Sequence, residues 1–343
     1  MLYPKFLKEK STIGITAPSS GVGDYLESFE KSLNTLKKYG YETIETESVR
    51  NKGITSASGK KRAEELDELI TNNNIDLVMC ASGGDFLIEM LPYVNWEHMK
   101  ENPKWLAGYS DPTSLLFNIT TKLDIATIYG CNAGSYDQTN LHQCLKNNLE
   151  ILSGNIVDQQ SFEYYQKEWQ KNSDSYNLTE KVYWEAINGP VDVTGRIIGG
   201  CLECLKDLIG TPFDNTQDFI NRYKNDGIIW YFDIVEQSAE DFYCTLLQMK
   251  SAGWFQYTKG IIVGRVFAPK SYYPDFTYQK ALKKVFPTLP IVFNADIGHV
   301  APKMTIINGS IAHIICQNGK GVIKQNICYL FKNEKENITL SLH

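Results

Sequence analysis

No apolar run in this 343-residue chain approaches the ~20 residues a bilayer-spanning helix needs, which excludes a helical membrane protein. No long basic run exists either. Lys and Arg total 34 against 40 Asp and Glu, for a net charge of −6, so the electrostatic footprint of a nucleic-acid binder is missing. Histidine is scarce: five residues, none in an H-E-x-x-H or similar metal-binding cluster. Cys201-Leu202-Glu203-Cys204 has C-x-x-C spacing, but no second pair completes a zinc site. The eight cysteines are scattered, most of them inside apolar stretches such as Leu77-Val78-Met79-Cys80. They read as small buried hydrophobes in a reducing compartment. The segment Met1 to Lys8 has no apolar core and no small-residue cleavage site. A cytoplasmic protein with no nucleic-acid or membrane partner is the expectation. No internal repeat or low-complexity tract is visible.

What is present is an alternating α/β pattern. Hydrophobic residues make up 43% and charged residues 22%, an ordinary globular composition with length for roughly two domains. Strands are expected at Thr12–Ala17, Tyr41–Val49, Ile75–Ala81 and Lys104–Ala107. Between them, helices are expected from Asp24 (with Asp24 and Glu27 as a capping-box pair), over Arg62–Asn73, and around Phe86, Leu87 and Leu91. This alternation implies a mainly parallel, Rossmann-like sheet with flanking helices over residues 1–155. Residues 156–190 lose periodicity and read as an interdomain connection, with local structure around Tyr164, Tyr165 and Trp169. Residues 191–343 read as a smaller α/β domain of mixed sheet. Its strands are Val193–Ile198, Gly227–Ile234, Gly260–Val266 and Ile291–Ile297. Gly199-Gly200 is expected as a tight turn, Leu202 to Leu208 as a short helix, and Met304–Cys316 as a hairpin turning at Asn308-Gly309.

The richest local signal is Gly108-Tyr109-Ser110-Asp111-Pro112-Thr113. Ser110 ends an apolar strand just before a helix carrying Leu115, Leu116 and Ile119. Asp111 suits the N-cap and Pro112 the first helical position. Ser110 then faces unpaired backbone N–H groups at the positive end of a helix, the setting a nucleophilic serine needs for its oxyanion. A turn serine beside a helix cap has the same local sequence. Ligands of parallel sheets gather at the carboxyl ends of the strands. The polar residues at those ends are Ser19, Ser82 with Gly83-Gly84, Ser110 with Asp111, Asp233 with Glu236, and His299. A hydroxyl, carboxylates and an imidazole suit acyl transfer: serine attacks, histidine moves the proton, and a carboxylate fixes the imidazole tautomer. Asp233 follows five apolar residues, and burial there is costly without a partner; Glu236, three residues on, is an alternative acid. Gly83-Gly84 lets backbone approach a substrate closely.

These motifs together resemble the LD-carboxypeptidase family of serine peptidases. The resemblance is carried by Thr12 to Ser20, Gly83-Gly84, Asn102-Pro103-Lys104 before Gly108-Tyr109-Ser110-Asp111, Gly199-Gly200 followed by Gly210-Thr211-Pro212, and Gly298-His299, in family order. The family includes murein tetrapeptide LD-carboxypeptidases and microcin C immunity peptidases. The resemblance implies two α/β domains with the active site between them, and a homodimer. It implies Ser110 as nucleophile, His299 as general base, and the backbone N–H groups of Gly84 and Asp111 as oxyanion donors. The family's glutamate falls on Asp233, one methylene shorter, with Glu236 as the alternative. Ser82 stands where many murein-cleaving members carry arginine, and Asp85 where tyrosine is common. The expected activity needs no cofactor and no metal. It is removal of a terminal D-amino acid from a muropeptide across an L,D bond, or alternatively cleavage of a peptidyl-nucleotide amide. A non-catalytic binding protein on the same scaffold is the reading from another class.

Overall fold

The computed structural model describes residues 1–168 and 174–327. Trp169 and Cys328 lie outside the described residues, as does the C-terminal end of the expected second domain. Two sheets carry the architecture. The first has six strands in the order Ile306–Asn308, Thr127–Tyr129, Trp105–Gly108, Leu77–Cys80, Thr12–Thr16 and Glu42–Glu45. All neighbours are parallel except Ile306–Asn308, which runs antiparallel to Thr127–Tyr129. The chain reverses its direction of travel across this sheet between Thr12–Thr16 and Leu77–Cys80, which opens a crevice at the strands' carboxyl ends.

The second sheet has eight strands. Four are parallel neighbours: Val191–Cys201, Ile228–Asp233, Thr258–Gly264 and Ile291–Ala295. Antiparallel strands flank them, including Gln159–Gln160 and Glu185–Ile187 from the 156–190 stretch. That stretch is therefore pinned to the second sheet. Its anchor is Asp296, fully buried, which accepts from Trp184 Nε1 (2.9 Å) and Phe162 N (3.0 Å) and pairs with Arg265.

The helix Thr113–Leu123 lies between the two halves. Every residue from Thr113 to Thr121 is buried, the polar ones included; Asn118 donates to Ser114 O and Thr121 to Phe117 O, so burial leaves them partnered. Phe117 stacks on Trp254 (5.4 Å between ring centroids), and Trp254 stacks on Trp230 (5.5 Å). At its N-terminus, Thr113 Oγ1 accepts from Cys201 N at 2.9 Å, which ties the turn that carries Ser110 to the second sheet.

Several expected elements take a different form. Gly199-Gly200 does not turn but continues the strand Val191–Cys201. A Cβ on Gly200 would sit 2.4 Å from Thr113 Cγ2, so the absent side chain admits the buried helix, not a bend. Asn308-Gly309 is a crossover between sheets: Ile306–Asn308 joins the first sheet and Ile311–Gln317 the second. The hairpin forms one turn later, where Ile311–Gln317 pairs with Lys320–Asn326 through Asn318-Gly319, both at positive φ. The Asp24–Glu27 capping box is absent; that helix starts at Leu26 after Tyr25, without a side-chain cap. Leu87–Tyr93 is a 3-10 helix, shortened by Pro92, and Tyr41–Val49 divides into the strand Glu42–Glu45 and a 3-10 turn. Among the described cysteines, all free, five are buried, Cys204 is half-buried and Cys244 is exposed.

Candidate active site

Ser110 sits at φ 72°, a left-handed conformation uncommon for a residue with a side chain. This sharp strand-to-helix turn lifts the hydroxyl out of the sheet. Its Oγ lies 2.9 Å from His299 Nε2. On the other side of the imidazole, His299 Nδ1 lies 2.8 Å from Asp233 Oδ2. The carboxylate can only accept, so Nδ1 carries the hydrogen and Nε2 is left to accept from Ser110. The His299 N–H also donates to Asp233 Oδ1 at 3.3 Å, holding ring and backbone to one carboxylate.

Asp233 is fully buried at the end of Ile228–Asp233. Burial pushes its carboxyl up. The His299 ring, the Tyr129 hydroxyl and the Lys303 charge act the other way and outweigh it, so Asp233 titrates below the ordinary carboxylate range. Glu236 is exposed and donates its backbone N–H to Glu203; no hydrogen bond joins it to His299 among the described residues. The other described histidines are engaged elsewhere: His98 with Asp67, His142 as the cap of Gln143–Leu152, and His313 with Asp192.

Gly83 and Gly84 close over Ser110. A Cβ on Gly83 would stand 3.1 Å from Ser110 Oγ. Neither the Gly84 N–H nor the Asp111 N–H donates to another group among the described residues. Asp111 does not cap its helix: the cap position is Pro112, without a side-chain bond. Its carboxylate instead accepts from Leu87 N at 2.8 Å, tying the loop after Gly84 to the Ser110 turn. Asp111 is mostly buried, which pushes its carboxyl up; Ser19, the Leu87 N–H and Arg62 oppose that.

Tyr129 was not singled out from sequence. It ends the strand Thr127–Tyr129, a position where a polar tip reaches the crevice. Its hydroxyl donates to Asp233 Oδ2 at 2.6 Å and accepts from Ser110 N at 3.3 Å, so it bridges Ser110 and Asp233. Tyr129→Phe leaves a buried carboxylate oxygen short of one donor. A loss of about 1–3 kcal/mol of stability is expected, read as a lower denaturant midpoint at unchanged m-value.

A cavity of about 290 Å³ opens beside Ser110 and Gly84. Asp85, Glu203, Asp207 and Glu236 contribute to its wall, and no basic residue does. Glu203 is consumed structurally, accepting from the N–H groups of Val235, Glu236 and Gln237. Cys204 Sγ packs 3.8 Å from the Ser110 carbonyl oxygen, so the C-x-x-C pair forms part of this wall.

Comparison with known proteins gives this geometry a context. The LD-carboxypeptidase N-terminal domain model matches residues 13–130 and the LD-carboxypeptidase C-terminal domain model residues 194–314. The chain belongs to the LD-carboxypeptidase family. It is accordingly a peptidase, a hydrolase acting on peptide bonds. A Vibrio cholerae relative named "Putative carboxypeptidase" is 30% identical over 228 residues, covering 62% of this chain and 66% of that protein. Among solved structures, the microcin C7 self-immunity protein MccF in complex with aspartyl sulfamoyl adenosine shares the fold. Its TM-score is 0.79 at 22% identity, over 95% of this chain and 99% of that one. The muramoyltetrapeptide carboxypeptidase of Oxalobacter formigenes superposes with TM-score 0.73 at 21% identity, over 92% and 99%. Among the described residues, no helix of this family member is long and apolar enough to cross a membrane.

Proposed function

We propose that this chain is a serine carboxypeptidase that cleaves an L,D-peptide bond of a muropeptide through an acyl-enzyme. The observation that carries the reading is the hydrogen-bonded chain Ser110–His299–Asp233. Ser110 Oγ attacks the scissile carbonyl while His299 Nε2 takes its proton. Asp233 holds the imidazole in the required tautomer and stabilises the imidazolium that forms. The tetrahedral oxyanion is received by the Gly84 and Asp111 N–H groups, at the positive end of Thr113–Leu123. His299 then protonates the leaving amine, and the terminal amino acid departs. Water, deprotonated by the same imidazole, hydrolyses the ester on Ser110 and restores the hydroxyl.

A second reading keeps the mechanism and changes the acyl donor: cleavage of an aminoacyl or peptidyl nucleotide, as the ligand held by the structurally similar MccF suggests. Incubation with murein tetrapeptide and, separately, with an aminoacyl sulfamoyl adenylate separates the two, with product read by mass spectrometry. Release of a terminal D-amino acid supports the first reading. Cleavage of the adenylate alone replaces it with the second.

Gly84→Ala tests the oxyanion assignment. Gly84 has φ 153°, and an added Cβ would lie 2.6 Å from Ser20 Oγ and 2.9 Å from Ser19 Cβ, so the backbone must shift. A displaced N–H is expected to lower kcat by about 10²–10³-fold with KM little changed. A variant with wild-type kcat would remove Gly84 from the oxyanion site.

A further inference from the structure

A carboxypeptidase must recognise the free carboxylate of the residue it releases, and a cation is the natural partner. The cavity beside Ser110 cannot supply it. Its ionisable wall is acidic, with Asp85, Glu203, Asp207 and Glu236, and it repels a carboxylate. Arg62, the cation under the Gly83-Gly84 loop, is buried and already committed to Pro18 O, Phe86 O and Glu89.

Lys303 is placed differently. It lies four residues after His299, half-buried, with its Nζ 3.0 Å from the centre of the Tyr109 ring. That ring packs against His299 at 5.2 Å between centroids, and Tyr109 is the residue before Ser110. No carboxylate among the described residues forms an ion pair with Lys303. A cation held on an aromatic face, beside the imidazole and in no direct ion pair among the described residues, is poised to accept an anionic ligand. The position also fits the chemistry. The carboxylate of the leaving residue is only two bonds beyond the nitrogen that His299 protonates. A substrate seated on Ser110 therefore carries that carboxylate past the His299 side of the site.

We infer that Lys303 is the anchor for the substrate's terminal carboxylate. It sets the preference for a free C-terminus from outside the acidic cavity, whose wall does not include it. This assignment rests on the serine carboxypeptidase reading above.

The test pairs an N-acyl dipeptide with an L,D bond and a free C-terminus with the same peptide as its C-terminal amide. The wild-type enzyme is expected to favour the acid over the amide by at least about tenfold in kcat/KM, a charge-assisted contact's worth of discrimination. Lys303→Ala and Lys303→Met are expected to raise KM for the acid about tenfold while leaving the amide within twofold. Methionine keeps the apolar stem over Tyr109, so an agreeing pair excludes a packing defect. Lys303→Arg is expected to restore the preference. Equal losses on acid and amide, or an intact preference in both variants, overturn the anchor. Wild-type turnover of both peptides with equal efficiency overturns the anchor and leaves the serine mechanism standing. Wild-type turnover of neither overturns the underlying reading, and the anchor with it.

Discussion

Ser110→Ala is expected to lower kcat by at least about 10⁴-fold, with KM changed only a few-fold. The hydroxyl lies 2.9 Å from His299 Nε2, and its removal leaves the imidazole without the hydroxyl it would deprotonate. Binding survives because the Gly84 and Asp111 N–H groups, the cavity wall and the Tyr109 face are untouched. Folding survives as well. The backbone pays for φ 72° equally with serine or alanine, and the backbone bond of Ser110 N to Tyr129 is retained. The residual rate is then the share owed to the oxyanion donors and to positioning. Release of a D-amino acid from murein tetrapeptide, followed by chromatography, measures the loss. A serine-directed phosphonate should add its mass to the wild-type chain and not to the variant. Unchanged turnover in Ser110→Ala would sink the serine mechanism, and the absence of turnover and of phosphonate labelling in wild type would favour a binding protein on this scaffold.

How much of this was legible beforehand depends on how local each cause is. Ser110 and His299 are flagged by neighbours: a strand end, Asp111-Pro112 at a helix start, and Gly298 before the histidine. Asp233 stands out because a carboxylate ending five apolar residues demands a partner. The parallel order of the first sheet follows from alternating strand and helix patterns. What could not be read has its cause far along the chain. Gly199-Gly200 looks like a turn until Thr113, on a helix of the other half, is seen to occupy the space of a side chain. Asn308-Gly309 signals a reversal but not which sheet receives the next strand. Tyr129 passes for a core aromatic because its partner, Asp233, is 104 residues away. Lys303 carries no local pattern at all; its meaning comes from the ring of Tyr109 beneath it. Asp111 suits an N-cap by its type and its place before Pro112, yet its carboxylate accepts from Leu87 N instead, a partner 24 residues away.

The second large effect is expected at the acid. Asp233→Asn keeps the side chain's shape and removes its charge. The amide can present oxygen or nitrogen to His299 Nδ1. If the nitrogen donates there, the imidazole hydrogen moves to Nε2, the atom that must accept from Ser110. In either orientation the imidazolium formed during attack has no anion beside it. A fall in kcat of about 10⁴-fold is expected, comparable to the same change in an unrelated serine protease. Glu236→Gln is the paired control. Glu236 is exposed and its N–H is held by Glu203, so kcat should stay within about twofold; the opposite pattern would transfer the acid's role to Glu236. Acid stability supplies an independent readout. Asp233 titrates lower in the folded chain than a free carboxylate does, so the folded state binds fewer protons than the unfolded one in that range. Its contribution is therefore fully present at neutral pH. It is lost as pH falls through the ordinary carboxylate range toward Asp233's own lower value. Denaturant titrations of wild type and Asp233→Asn across that interval should show the wild-type unfolding free energy falling more steeply, because the asparagine has no proton to take up. Parallel slopes would mean that Asp233 is not held ionised by His299 and Tyr129, and the tautomer argument would lose its electrostatic footing.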